Sequence, residues 1–340
     1  MGRRHALIYV VMAIATITML VVGTCVGSVA VPFSETVDIC LRALTGATQP
    51  DPSRASIILT VRLPRVLCVA LCGASLSVAG ASMQGLLKNP LADGSTLGVS
   101  SGAALGAATS IALGLNLPGA ILSPTMVCAA IGAFASLVLV LTLSWRLDAS
   151  LSTNTLILIG IIFSLFASAL LSLIVTMASD HVREITFWTM GSLAGSTYGE
   201  AAMLLLALVA CGTILVLNAD ELDAFSIGED NARSVGVDVR RVRITVLVLC
   251  SILIGACVSC AGTIGFVGLV TPHATRLLLG PSHRRLLPAC LLAGAVFLIA
   301  ADLVARTVAS PLELPLGAVT SLVGSVIFVQ IFYLMGRGSR

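Results

Sequence analysis

Long, mainly apolar runs with almost no charge alternate with short polar segments along almost the whole chain. A helix needs about 20 apolar residues to cross the hydrocarbon core of a membrane, and each run reaches or approaches that length. The pattern therefore predicts an all-α, polytopic membrane protein. The runs are 6–34, 66–87, 94–145, 149–179, 201–219, 244–275, 286–305 and 314–336.

Two of these runs are too long for a single span and contain helix breakers. The stretch NLPG at Asn116–Gly119 divides 94–145 into two helices. Glycine and proline residues divide 244–275 into a full helix and a short, irregular one. The breakers in this second run are Gly262, Gly265, Gly268 and Pro272. We therefore predict about ten transmembrane helices in a single transmembrane domain that covers residues 1–340.

Basic residues indicate the direction in which the predicted helices cross the membrane. Arg3 and Arg4 precede the first run, and cytoplasmic loops carry the excess of Lys and Arg, so the N-terminus is predicted to be cytoplasmic. With ten helices the C-terminus returns to the same side. The first run is 29 residues long, which exceeds the apolar region of a signal peptide, so we interpret it as a retained helix.

The composition narrows the class of protein further. Hydrophobic residues make up 57% of the chain and charged residues only 10%, against about a quarter charged in a soluble domain. No P-loop, HExxH or GxSxG motif is present, so the sequence supports no enzyme class. No basic module for nucleic acid is present either. Nine of the ten cysteines lie in apolar runs without a His partner set, so we expect neither a metal site nor a cofactor.

Five arginines fall on the predicted outer side, against the usual bias: Arg42, Arg54, Arg62, Arg65 and Arg306. Arg62 and Arg65 precede the second helix, and Arg306 ends the ninth. Such side chains either extend from a helix end to the interface or have a specific role, and the sequence leaves both open. Asp302 lies four residues before Arg306, the spacing of an ion pair on one helix face. Acidic residues at mid-depth, typical of ion-coupled carriers, are not evident, so we expect another subunit to supply energy.

One segment differs sharply from the rest of the chain. Ten of the charged residues lie between positions 220 and 243. Glu229 and Asp230 suit the start of a short helix, where the helix dipole favours acids. Gly236 suits the cap at its end, and Asp238 suits the N-cap of the next helix. So short a helix is unstable alone in water, so we expect it to pack either on its own chain or on a partner.

Five stretches, in order along the chain, resemble motifs of the FecCD-type permeases. These permeases are the membrane subunits of bacterial ABC importers for iron-siderophores, haem and cobalamin. The stretches are RLPR (62–65), GASLSVAGASMQGLLKNPLADGSTLGVSSGA (73–103), IGEDNARSVGVDV (227–239), GTIGFVGLVTPHATRLLLGPSHRRLLP (262–288) and ADLVARTVASPLELPLGAVTSLVGSVIF (301–328). The chain departs from the family pattern at Gly94 and Val326, where the family often has proline.

The resemblance implies ten helices per subunit in the bacterial cytoplasmic (inner) membrane, with both termini in the cytoplasm. The implied partners are a second permease subunit, identical or different, two cytoplasmic ABC ATPase subunits and an extracytoplasmic substrate-binding protein. ATP hydrolysis on the ATPases would drive alternating access, so this chain is expected not to be an enzyme. We expect an iron(III)-siderophore as the cargo, with cobalamin or haem as the alternative. A carrier or channel that needs no ATPase is the alternative from a different class.

The resemblance also implies roles for particular residues. The binding protein would dock on Arg62, Arg65 and Arg306, because guanidinium groups pair well with carboxylates. The residues implied for a cytoplasmic gate are Asn89, Leu91, Ser152, Thr153 and Asn154. Ordinary helix caps would give the same pattern at these gate positions, so the sequence leaves that alternative open.

The charged segment 220–238 is implied to be the coupling segment that docks on the ATPase. Its implied contact residues are Ile227, Gly228, Glu229, Asp230, Ala232, Arg233, Val235 and Gly236. The alternative is a solvated loop helix that packs only on its own chain.

Overall fold

A computed structural model describes residues 3–27, 31–94, 96–116 and 122–338, and the described chain folds entirely into helices and connecting loops. The α-helices are α1 Arg3–Cys25, α2 Phe33–Thr45, α3 Pro52–Ser56, α4 Leu63–Leu87, α5 Val99–Ala112, α6 Pro124–Leu147, α7 Thr153–Met177, α8 Val182–Met190, α9 Tyr198–Leu217, α10 Ala219–Ile227, α11 Glu229–Ser234, α12 Val239–Ala261, α13 Val267–Leu279, α14 His283–Thr307 and α15 Leu316–Gly338. A π-helical turn, Ile57–Arg62, joins α3 to α4 without a break. A 3₁₀ turn, Ser179–His181, leads into α8.

Seven helical segments in the described chain are long and apolar enough to cross a membrane. They are α1, the continuous segment Pro52–Leu87, α6, α7, α9, α12 and α14. Two shorter apolar helices, Val99–Ala112 and Leu316–Ile331, fall where two further spans are predicted. The one remaining predicted span, the eighth along the chain, falls on α13, which has 13 residues. The all-helical membrane class is confirmed, and the total of about ten spans stays a prediction.

Helix α4 lies at the centre of the bundle and packs against α9, α12, α13 and α14. Glycines make these contacts close: a Cβ atom built on Gly73 would lie 2.2 Å from the backbone oxygen of Gly294 in α14. The same test at Gly80 gives 2.0 Å to the oxygen of Gly268 in α13. Small residues at helix contacts let backbones approach within a membrane, where packing rather than water exclusion drives association.

The structure corrects the boundaries of the first predicted helix. The uncharged run 6–34 is not one helix, because α1 ends at Cys25 and a second helix begins at Phe33. Residues 28–30, between these two helices in sequence, lie outside the described residues. Hydropathy did not reveal the end of α1, because the residues that leave the helix are as apolar as those within it.

The two predicted helix breaks are placed differently in the structure. In the first, α5 ends at Ala112 and α6 begins at Pro124, while residues 117–121, which include most of NLPG, lie outside the described residues. In the second, α12 ends at Ala261 and α13 begins at Val267. Pro272 does not break the helix, since α13 continues through it to Leu279.

Candidate functional site

The charged segment forms two short helices, α10 and α11, between the long helices α9 and α12. Helix α11 closes with paired hydrogen bonds, from Gly236 N to Arg233 O at 3.0 Å and from Val237 N to Ala232 O at 3.0 Å. Gly236 has φ +89°, a backbone angle that glycine adopts without strain. Asp238 then accepts from Arg241 N at 3.0 Å and starts α12. The predicted caps at Gly236 and Asp238 are both confirmed.

The segment presents some of the implied coupling residues to solvent and buries others. Ile227 and Val235 are 76% and 72% exposed, which is unusual for apolar side chains beside so many charges. Arg233 and Asp230 are exposed between them. Ala232 is fully buried, so its side chain packs on its own chain. The remaining implied residues are Gly228 and Glu229, both partly buried, and Gly236, exposed.

Arg243, at the start of α12, connects this segment with the loop that precedes α7. Its side chain has no exposed surface. It donates to the backbone oxygens of Ser150 at 2.7 Å and Leu151 at 2.8 Å. It also forms an ion pair with Glu229 of α11, and its guanidinium lies 5.8 Å from the ring centre of Phe225 in α10. The sequence indicated Arg243 only as a basic residue at the inner end of a helix.

Residues 148–152, which we call the gate loop, form a closed turn between α6 and α7. Asp148 accepts from Ser150 N at 2.9 Å, from Ser150 Oγ at 2.6 Å and from Ser152 N at 3.1 Å. These bonds from Ser150 and Ser152 hold the pKa of the Asp148 carboxyl well below its usual range. Leu151 adopts a left-handed backbone conformation with φ +52°, which residues other than glycine rarely adopt.

The implied gate residues lie in two separate regions: the loop after α4, and the junction of the gate loop with the first turn of α7. Ser152 shares a hydrogen bond of 3.0 Å with the hydroxyl of Thr155 and precedes α7, which begins with Thr153 and an exposed Asn154. In the other loop, after α4, Asn89 Oδ1 accepts from Leu91 N at 2.9 Å. The Leu91 side chain is 51% exposed.

A second polar contact ties α10 to the inner ends of α14 and α4. Asp223 accepts from His283 N at 2.7 Å, from His283 Nδ1 at 2.6 Å and from Ser282 Oγ at 2.8 Å. Burial raises the pKa of Asp223, but these hydrogen bonds outweigh burial and hold it below its ordinary value. The His283 ring packs on Gly85, where an added Cβ would lie 2.3 Å from Nε2.

At the other end of the bundle, four charged residues form what we call the outer ion cluster. Arg65 donates to Asp302 Oδ1 at 3.0 Å and to both Glu313 oxygens at 3.0 and 2.9 Å. Arg306 forms an ion pair with Asp302 at 3.0 Å and donates to Gly23 O at 2.9 Å. The predicted pair of Asp302 and Arg306 is confirmed.

The three implied docking arginines are more buried than a docking role led us to expect. Arg62, Arg65 and Arg306 are 5%, 6% and 5% exposed. Arg62 donates to Cys25 O at 2.7 Å. Asp302 explains much of this burial, because its carboxylate lies inside the bundle and draws two guanidinium groups inward. Glu313 is the accessible member of the cluster, with 46% of its side chain exposed.

A cavity of about 390 Å³ opens among α4, α12, α13 and α15, and the loop that follows α4 contributes to its wall. Its polar lining consists of Asp93, Ser100, Thr189, Thr263 and Ser321. Gly94, one of the two departures from the family pattern, also lines it, and an added Cβ would lie 2.9 Å from Ile254 Cγ2. Ile254 therefore occupies the space that a proline ring at position 94 would need. Val326, the other departure, is 58% exposed on α15.

Comparison with known proteins relates this chain to a transport family and to two permeases. The FecCD transport family matches residues 14–335. An uncharacterized ABC transporter permease of Bacillus subtilis, YvrB, is 44% identical over 94% of this chain and 92% of its own length. The cobalamin import system permease BtuC of Halobacterium salinarum is 39% identical over 82% of this chain and 74% of its own length.

A solved structure supports the same assignment. A metal-chelate type ABC transporter in an inward-facing conformation superposes with a TM-score of 0.84 at 31% identity, over 96% of this chain and 98% of that one. The family match covers nearly every described helix, from within α1 to within α15. On these grounds the chain belongs to the FecCD transport family.

Proposed function

We propose that this chain is the membrane-spanning permease subunit of a binding-protein-dependent ABC importer that carries a metal chelate inward. The observation that carries the proposal is the family match from residue 14 to residue 335, which takes in both the spans and the charged segment. The relatives support it because both are named as permeases. The subunit itself makes and breaks no covalent bond; ATP hydrolysis takes place on a partner chain.

The proposed topology has ten spans, with α5, α13 and α15 completing the seven long ones. Both termini are then cytoplasmic, and the gate loop and coupling segment share the cytoplasmic side. A cysteine at exposed Ala194, before α9, is expected to react with a membrane-impermeant maleimide added outside, whereas one at exposed Ala149 is not. External labelling at Ala149 would contradict the orientation.

The coupling segment is proposed to dock on the ATPase through its exposed side chains. Ile227 and Val235 offer apolar contacts, and Arg233 and Asp230 offer charged ones around them. An apolar centre with a polar rim is typical of a protein interface. Because Ala232 and much of Glu229 face their own chain, we assign them to holding α11 in place rather than to the interface.

Site-specific photo-crosslinking tests this interface in the assembled importer. A photoreactive residue at position 227, 230, 233 or 235 is expected to crosslink to the ATPase. The same group at Tyr198 is the control. Tyr198 is the exposed first residue of α9 and lies at the end of that helix opposite the coupling segment, so it is expected to give no ATPase adduct. Absence of an adduct from all four coupling positions would refute the docking proposal.

The substrate-binding protein is proposed to dock at the outer ion cluster. A carboxylate on that protein would compete with Glu313 for Arg65, since Glu313 is the accessible partner. Arg65→Lys keeps the charge but loses the fork that holds two carboxylates, so docking is expected to weaken. Arg42→Lys, at an exposed outer arginine, is the matched control. Equal affinity for both variants would place docking elsewhere.

The proposed cargo is a metal chelate: an iron(III)-siderophore first, with cobalamin or haem as the alternative. The cobalamin relative and the metal-chelate transporter support the broad class, and neither supports a siderophore over the others. Affinities of the cognate binding protein for ferric siderophores, haem and cobalamin separate these cargoes. Tight binding of cobalamin alone would overturn the siderophore proposal.

A further inference from the structure

Arg243 is the single side chain through which the coupling segment contacts the gate loop by charge and hydrogen bonding, within the part of the chain that the structure describes. It forms an ion pair with Glu229 of α11 and donates to the backbone oxygens of Ser150 and Leu151. Its side chain is fully buried, so water does not compete for these bonds. Hydrogen bonds from a buried guanidinium are stronger than those between neutral groups.

The shape of the guanidinium makes these contacts interdependent. Its donors lie in one rigid plane, so a shift of the carboxylate on one side changes the geometry on the other. Glu229 belongs to α11, a helix of six residues whose end carries the exposed Val235. A partner that displaces α11 therefore also moves or breaks the bonds of Arg243 to the gate loop.

The backbone of the gate loop contains a strained residue, so a change of conformation would relieve strain once the loop is released. Leu151 has φ +52°, and its carbonyl oxygen accepts from Arg243. A left-handed leucine is strained and persists only while its surroundings hold it. Loss of the Arg243 bonds would leave only the hydrogen bonds to Asp148 to hold this conformation. A loop that then changes conformation would be a two-state element of the kind that couples distant sites.

We propose that Arg243 is a positioning residue for transport: it holds the gate loop in place while α11 is at rest and releases it when a partner ATPase displaces α11. The inference rests on the proposed function, since it takes the coupling segment as the ATPase contact. It goes further in naming the group that carries the displacement to the gate. A purely structural Arg243 would affect stability but not the amount of cargo moved per ATP.

The test compares Glu229→Gln with Glu184→Gln in the complete importer, reconstituted in liposomes with the ATPase and the loaded binding protein. Each change removes one negative charge from the first turn of a short helix, α11 or α8, but only Glu229 contacts Arg243. Three quantities are measured: ATPase co-purification, ATP hydrolysis and cargo uptake per ATP. Arg243→Lys is a second variant, which keeps the charge and loses the fork.

The expected result is that Glu229→Gln and Arg243→Lys retain the ATPase but move about fivefold less cargo per ATP, or less still. Glu184→Gln is expected to stay within about twofold of the parent ratio, as an exposed substitution does. If Glu229→Gln or Arg243→Lys binds the ATPase and moves as much cargo per ATP as the parent, Arg243 does not couple α11 to the gate loop. Loss of ATPase binding in Glu229→Gln would also overturn this coupling, by making Glu229 a docking group. Failure of the unaltered permease to bind the ATPase would instead refute the proposed function, and the coupling through Arg243 with it.

Discussion

At the scale of single residues, buried charges organise both ends of this molecule. Asp302 lies between Arg65 and Arg306, with 1% of its side chain exposed, so it neutralises two cations that water cannot reach. Arg243 plays the corresponding part at the inner end, between Glu229 and two carbonyl oxygens. In each case one group holds together segments that are distant in sequence.

Asp302→Ala is expected to destabilise the protein by about 3–5 kcal/mol, because it leaves the Arg306 guanidinium buried without its carboxylate, whereas Arg65 keeps Glu313. The measurement is the thermal unfolding midpoint of the purified protein in detergent. Asp38→Ala, which removes an exposed carboxylate paired with Arg42 at the same i,i+4 spacing, is the control. The control is expected to cost about 0.3–0.5 kcal/mol. Equal losses would show that the burial of Asp302 has no energetic consequence.

The contact of Asp223 with His283 predicts a pH dependence at acid pH. The pKa of Asp223 is lowered from its ordinary value of 3.8, so the contact stabilises the fold above that pH and loses its effect as pH falls through the lowered pKa. Asp223→Asn is therefore expected to lower the unfolding midpoint at neutral pH and to approach the parent below about pH 4. Asp230→Asn, at an exposed carboxylate, is the control. A midpoint difference that persists undiminished in acid would contradict the role of the carboxylate.

At the scale of elements, close glycine contacts fix how the helices around α4 pack. Gly294→Ala would bring a Cβ within 2.2 Å of the oxygen of Gly73 and within 2.6 Å of Ser77 Cβ, so α4 and α14 must separate. We expect a loss of about 1–3 kcal/mol, typical of overpacking, measured by thermal unfolding in detergent.

Gly212→Ala in α9 is the matched control for that substitution. Its added Cβ would lie 3.5 Å from Leu208 Cδ1, an ordinary contact. Alanine also favours the helix over glycine by about 0.5–1 kcal/mol, so this variant is expected to be neutral or stabilised. If Gly294→Ala and Gly212→Ala behave alike, the contact between α4 and α14 is not as close as described.

The sequence predicted the long helices and the short helix α11, but it did not predict the short helices α2 and α8. Helix α7, Thr153–Met177, falls within the predicted run 149–179, because an unbroken apolar stretch of that length has few alternatives in a membrane. Helices α2 and α8 were not predicted, because with 13 and 9 residues they are too short for the apolar runs that identify membrane spans. Hydropathy also does not show whether an apolar residue such as Phe33 faces lipid or the outer surface.

Site residues were predictable only where their partners are close in sequence. Asp302 and Arg306 could be paired from their spacing, and the caps at Gly236 and Asp238 from local helix chemistry. Arg65 lies 237 positions from Asp302, and Arg243 lies 92 positions from Leu151. No local pattern encodes such contacts, because they depend on how the whole bundle assembles.

At the scale of the whole molecule, clusters of charged residues lie at both ends of an apolar bundle, with a cavity of about 390 Å³ between them. The outer ion cluster faces the proposed binding protein, and the coupling segment and gate loop face the proposed ATPase. Under the proposed function, the bundle would have separate surfaces for cargo delivery and for energy input. This arrangement suits an importer subunit that is driven from one side and loaded from the other.

The most direct test of this account is cargo uptake into liposomes that contain the purified permease. The account predicts uptake of a metal chelate only when the cognate ATPase, ATP and the loaded binding protein are all supplied. Omission of any one of them is expected to reduce uptake to the level of protein-free liposomes. Equal uptake by the permease alone, without ATP, would contradict the account and identify a carrier or channel instead.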